Sequence, residues 1–400
     1  MKKNPSEKNN KLINFIERKY VIFAVILAGI FLRILAAAHG HNYDFESYKI
    51  IAEVSRHAGN VYLETSRYNY GPLWFLLISL LDKIAFLFSD PAAVFRLLIL
   101  GTLTLADLGI YAILFKQFGA KAAALFFLNP LSIIVTGYFS QFDNVAILLA
   151  LFAMHVYGED FSKDMPARKW LGLLLLGISI TTKHLFFVFP IWIAVKQQGF
   201  KFKSIAVILP LALFIVSFIP FLGEGSQGVV DNVLRYNSFK NAPLLSFIFA
   251  GIYRSFDLSR LVWFVALIAG AFIFRTKSLR ECALMYLFLL LLFSPSVIYH
   301  YLAIVAPAIA VYPNVTLVLY SFLGAYVLSL DNIGMNIEFL VRSAPWFFLY
   351  RLNSNQIFQV PIAVLFFGFI WIFHADKIKA LFRFISKRMR EEIRIQRESF

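Results

Sequence analysis

A dozen apolar stretches, most of them near the length a helix needs to cross a bilayer, follow one another from residue 20 to residue 374. A hydrocarbon core about 30 Å thick takes roughly 20 apolar residues as a helix. Inside it only helices and closed barrels satisfy their own backbone. Runs near 20–38, 97–115, 122–139, 142–158, 169–182, 184–196, 204–222, 258–274, 281–294, 297–312, 315–330 and 357–374 therefore predict an all-α polytopic membrane protein of about 12 crossings. Two further apolar segments, 72–89 and 243–255, spoil the parity if both cross, so re-entrant or interfacial helices on the outer face are expected there. Of 400 residues, 60% are apolar and only 15% charged, which excludes an ordinary soluble domain.

The formal net charge of +15 resides in clusters between the apolar runs and at the ends, not on a face interleaved with aromatics. No nucleic-acid partner is expected. Clusters at 2–19, 116–121, 163–169, 196–203, 275–280 and 377–397 instead mark cytoplasmic loops. This gives a basic leader over 1–19, one transmembrane domain over 20–374 and a basic amphipathic tail over 375–400 lying on an anionic surface. "ILAAAHG" resembles a signal-peptidase site, but the long charged leader and Arg33 favour a retained anchor. The chain has one cysteine, Cys282, so no internal disulfide framework is possible.

On this topology every segment that looks chemical falls on one side of the membrane. The outer loop 39–96 opens with "HNYDFESYKI", where Asp44 is expected to cap a membrane-lying helix over 45–57 and Glu46 to follow in its first turn. An acid at the membrane boundary suits a general base that meets one substrate from lipid and another from water; the plainer reading is a helix cap. "RYNYGPLW" closes the stretch, with Tyr70 among aromatics that serve either as an interfacial belt or as sugar contacts. Gln141, Asp143 and Asn144 in "YFSQFDN" form an outer turn, which turn chemistry alone would also select. Lys183-His184 in "ITTKHLFF" is a cationic pair against the positive-inside trend, and phosphate binding would explain it, with His300 of "SPSVIYHYL" able to join. Asp107 falls near the middle of its span, where a protonated structural aspartate is the bland reading, and Arg33 is expected to snorkel.

These motifs, in this order, resemble the GT-C fold polyprenyl-phosphate-sugar-dependent integral-membrane glycosyltransferases, most closely the dolichyl-phosphate-glucose glucosyltransferases and bacterial relatives. The carriers are the "YDFESY" loop, "YxYGP", "ADLGIY", the "GYFSQFDN" turn and the "TTKH" turn, which cover residues 20–200 well. The family's later element rich in His, Glu and Lys is absent, since "SPSVIYHYLAIVAP" keeps one histidine. The resemblance implies a GT-C bundle, with Asp44 as the catalytic acid of the first outer loop. It further implies transfer of a hexose from a polyprenyl-phosphate donor to a glycan or glycolipid acceptor, with inversion. The leaving phosphate needs cations, for which Lys183 and His184 are candidates, with Arg67 or Arg235 as others. Glu46, Tyr70, Gln141, Asp143, Asn144 and His300 would line the substrates. No metal is demanded, although Asp44 and Glu46 together could hold a divalent cation. In a prokaryote the site would face outward from the plasma membrane. The rival class is a transporter or flippase of lipid-linked sugars, which predicts inverted repeats and a midplane site. A structural assembly subunit would show a small-residue packing face instead.

Overall fold

The computed structural model describes residues 5–236, 241–249, 256–330, 334–343 and 357–374, with side chains from residue 19 onward. Among the described residues it is helical, with no strand. Pro5–His39 is one continuous helix, so the basic leader and the first apolar run are not separate elements. The tail 375–400 and much of the 331–356 loop lie outside the described residues, as does the second half of the 243–255 segment.

Among the described residues three helices are long and apolar enough to cross a membrane: Lys19–His39, Pro91–Phe118 and Phe200–Phe221. Residues 120–127 and 130–137 form a fourth if taken as one span bent by 48°. That bend has a local cause. The Asn129 side chain accepts from Leu131 N–H and Pro130 opens the next helix, so the chain stops and restarts at "LNP". Beside these three or four long spans the described residues hold shorter apolar helices, including Asp143–Tyr157, Val315–Leu330 and Gln359–His374, in places where crossings were expected. Two expected spans are broken. His184–Phe186 and Tyr299–Ala303 are 3₁₀ turns, followed by short helices Phe189–Lys196 and Ala306–Val311 with Pro190 and Pro307 in their first turns. Pro72–Ala85 has 14 residues, about 21 Å of helix, short of the ~30 Å core.

Large side chains on the outer faces of the long helices, such as Phe31, Leu105, Ile208 and Ile215, are more than half exposed. A surface of that kind is compatible with lipid contact and unusual for water. The interior is packed with Phe, Leu and Tyr, and the Leu279–Leu292 helix is buried almost all round.

Arg33 does not snorkel. It is fully buried, and its Nε donates to Asp107 Oδ2 at 2.8 Å. The rest of the guanidinium donates to the Gly29 and Phe127 carbonyls and to Ser132 Oγ. Asp107 also accepts from Thr136 Oγ1 at 2.7 Å and Asn144 Nδ2 at 2.9 Å. It is thus a hydrogen-bonded structural aspartate, as the sequence suggested, with Arg33 as its ion-pair partner. Gly137 permits the approach, because a Cβ there would stand 2.6 Å from the Arg33 carbonyl oxygen. This cluster ties the first helix, the Pro91–Phe118 helix and the 136–144 turn together.

Candidate functional site

Four segments far apart in sequence meet at the end of this bundle: 42–48, 68–74, 138–144 and 181–184, with 300–301 closing the side. The Tyr43–Arg56 helix begins two residues earlier than expected, and its cap is Asn42 rather than Asp44. Asn42 Oδ1 accepts from Asp44 N–H, while its Nδ2 donates to Asp44 Oδ2 at 2.8 Å. The aspartate is thereby released from capping and fixed in orientation by its neighbour.

Gln141 reaches the same oxygen, its Nε2 donating to Asp44 Oδ2 at 2.6 Å. The turn that carries Gln141 is held from several directions. Gln141 N–H donates to the Val135 carbonyl, Tyr48 Oη donates to the Ser140 carbonyl, and Ser140 itself sits at φ +54°. A non-glycine residue in that region marks a turn whose surroundings over-determine it. Trp74 stacks on Phe142 with centroids 4.1 Å apart, fastening 68–74 to the same turn. Gly71 allows the approach from the other side, since a Cβ there would come within 1.8 Å of the Thr181 carbonyl oxygen.

Asp44 keeps about a third of its side chain exposed. Burial of the remainder pushes its carboxyl above the ordinary aspartate range, and the Asp143 charge adds to this. The Asn42 hydrogen bond, the Lys183 charge and the Gln141 hydrogen bond pull it back. His300 Nδ1 lies 3.9 Å from Asp44 Oδ2, so this histidine does join the cluster.

Lys183 is not a free cation. Its Nζ is 2.8 Å from Asp143 Oδ2, both side chains being nearly fully buried. Rings of Phe142, Tyr70 and Tyr301 surround the ammonium, with centroids at 4.9, 5.0 and 5.7 Å. Tyr70 therefore contacts the lysine directly. Next to it, His184 is half-buried in the 3₁₀ turn, its Nδ1 shielded and without a hydrogen-bond partner, and the buried His300 has none at Nε2.

Other expected site residues lie further out. Arg67 stacks its guanidinium 3.5 Å from the Tyr43 ring centroid and donates to Ser47 Oγ, which places it beside the Asp44 helix. Arg235 is exposed and pairs loosely with Asp231 at 3.6 Å. Glu46 turns to Lys49 at 2.9 Å and His41 at 3.3 Å, so it does not stand with Asp44 as a second metal ligand. Among the described residues no group of three His, Cys, Asp or Glu side chains is arranged to hold a metal ion. Asn144 faces inward to Asp107 and the Leu103 carbonyl instead of toward Asp44.

A cavity of about 370 Å³ adjoins the cluster, lined by His184, Phe187, Phe214, Trp263, Phe264 and Tyr301 among others. Its walls are mainly apolar and aromatic, with the imidazole and the tyrosine at the end nearest Lys183. Such a combination binds a largely apolar ligand through one polar head. Sequence reasoning missed Asn42, Tyr48 and Tyr301; for Asn42 the signal was an amide two residues ahead of an acid, a spacing that lets the amide both cap and orient. No family model, no curated protein and no solved structure matches this chain.

Proposed function

We propose that this protein is a membrane glycosyltransferase that moves a hexose from a polyprenyl-phosphate sugar to a glycan or glycolipid acceptor, with Asp44 as general base. One observation carries the reading: a partly exposed, doubly hydrogen-bonded carboxylate stands beside the buried His300 imidazole, and a second imidazole of the same cluster, His184, lines an apolar cavity. The three parts match the three demands of the reaction. The carboxylate can reach a water-borne hydroxyl, the imidazoles can face a phosphate, and the cavity can take a lipid chain.

In the proposed step the acceptor oxygen attacks the anomeric carbon as Asp44 takes its proton. The bond from that carbon to the phosphate oxygen breaks, the electron pair leaves with the lipid phosphate, and one displacement inverts the centre. The departing monoester gains charge, which ring N–H groups of His184 and His300 stabilise in a site shielded from water. Lys183 shares its charge with Asp143 and therefore acts on the phosphate more weakly than an unpaired ammonium would. A carrier would need a midplane site, and Asp107, the acid that lies deep in its span, is already engaged by Arg33, Ser132, Thr136 and Asn144.

The test is incubation of the detergent-purified protein with short-chain polyprenyl-phosphate hexoses carrying a labelled sugar, together with a membrane glycolipid extract. Release of polyprenyl phosphate and movement of label to an acceptor support the reading. A protein inert toward every donor, yet able to move lipid-linked sugar across vesicles, would be a carrier.

A further inference from the structure

Beneath the Asp44 turn lies a second, much smaller cavity of about 20 Å³, lined by Asp107, Ser132, Thr136, Gln141, Asp143 and Asn144 with apolar neighbours. One water needs roughly 10–15 Å³ measured this way, so the space suits a single small species. Its polar lining residues bring two carboxylates, two side-chain amides and two hydroxyls.

The amides cannot be reversed. Gln141 commits its Nε2 to Asp44, and Asn144 commits its Nδ2 to Asp107 and the Leu103 carbonyl. Their oxygens therefore point elsewhere, and Gln141 Oε1, Asn144 Oδ1 and Asp143 Oδ1 are all buried without a hydrogen bond. Gln141 and Asp143 are 1% and 4% exposed, so bulk water does not serve them. A buried acceptor left without a donor is costly. All three orphans are acceptors. A water molecule has two hydrogens to donate and would leave one of them unmet.

Charge points the same way. The two carboxylates that line the cavity each face a cation, Asp107 facing Arg33 and Asp143 facing Lys183, while Asp44, outside the lining, is partly exposed. Both lining carboxylates already hold a cationic side chain, so a divalent ion would be over-compensated, and the described residues contain no His/Cys/Asp/Glu trio of the kind such ions use. Hard oxygen ligands with no surplus charge to neutralise leave room for a singly charged ion at most, a small alkali cation.

We propose that this cavity binds a sodium ion through Gln141 Oε1, Asn144 Oδ1 and Asp143 Oδ1. The Gln141 amide then bridges the ion and Asp44, holding the carboxylate with one end and the cation with the other. The site depends on the described geometry alone and stands whether or not the protein transfers sugars.

The test is thermal unfolding of the detergent-purified full chain in sodium, potassium or N-methylglucamine chloride at equal ionic strength. A ligand that binds only the folded state raises the midpoint by mass action. Sodium is expected to raise it by a few degrees and to saturate, with potassium, too large for the space, giving much less. Gln141→Met removes the amide oxygen without changing charge and should abolish the sodium increment; Asn144→Leu, which also removes a ligating amide oxygen without changing charge, serves the same purpose if the first variant does not fold. Identical midpoints in all three salts overturn the proposal, and mean that the orphan oxygens are met by water. A sodium increment that survives in the folded variant also overturns it, by placing the ion elsewhere.

Discussion

Replacing Asp107 by alanine should be among the most damaging single changes in the protein. Arg33 and Asp107 are 0% and 1% exposed, so neither charge can turn to solvent. Removing the carboxylate strands the guanidinium Nε, and it also deprives Thr136 Oγ1 and Asn144 Nδ2 of an acceptor. Breaking a buried pair by deleting one partner costs about 3–5 kcal/mol, and stranded neutral donors add roughly 1–3 kcal/mol each if they find no new partner. A loss of about 4 kcal/mol or more is expected, enough to lower the thermal midpoint of the detergent-solubilised protein by several degrees. The double variant Arg33→Met/Asp107→Leu removes both charges and fills the space with apolar atoms. It should recover much of the loss, because an apolar replacement of a whole buried pair is often neutral or stabilising. The assay is thermal unfolding of the wild type, both single variants and the double, each checked for monodispersity. The reasoning fails if Asp107→Ala shifts the midpoint by less than about a degree, or if the double variant is as unstable as the worse single one.

Further expectations concern the site. Burial raises the Asp44 carboxyl, so its base form is lost as pH falls through a value above the ordinary aspartate pKa of about 3.9, and the acid limb of kcat/KM should sit above that value. Asn42→Ala removes a hydrogen bond that favours the charged form, and should move the limb higher still; an unchanged limb would separate Asp44 from the rate. Lys183→Gln strands Asp143 in a buried position and should cost yield as well as activity, whereas Lys183→Arg retains part of both, and equal behaviour of the two would mean that the ion pair is dispensable. At Ser140, whose φ is +54°, glycine should be close to neutral and valine should destabilise by about 1–2 kcal/mol, as read by thermal unfolding. Gly71→Ala drives a methyl group into the Thr181 carbonyl, and should lower the midpoint and loosen the Tyr70–Lys183 contact; a neutral outcome would show that this approach is not tight.

Helix content and the local turn geometry of 42–48 and 129–144 could be read from the sequence because both depend on neighbours. The helix after Asn42, the turn at "YFSQFDN" and the break at Asn129-Pro130 follow from local capping and proline geometry. The cap was misplaced by two residues because Asn and Asp serve equally well, and only the tertiary pull of Gln141 frees Asp44. Broken spans at 184–196 and 297–312 were hidden for a different reason. Uniform apolarity carries no period, so only Pro190 and Pro307 signalled that these runs would divide. The ion pairs were invisible in principle: Arg33 meets Asp107 across 74 positions, and Lys183 meets Asp143 across two helices. Reading Arg33 as snorkelling and Lys183 as a free cation followed from judging each charge alone in lipid. Buried charges persist when paired, and pairing at long range is set by packing.

The most direct measurement is a matched donor assay of wild type and Asp44→Asn. Asparagine preserves shape and removes the proton acceptor. With a short-chain polyprenyl-phosphate hexose and a glycolipid acceptor, the variant should bind donor with an unchanged KM while kcat falls by at least about 100-fold, the scale of a lost general base. Its thermal midpoint should stay at or above that of wild type, since a partly buried charge has been neutralised. Wild-type turnover that survives in a folded Asp44→Asn protein would contradict the account.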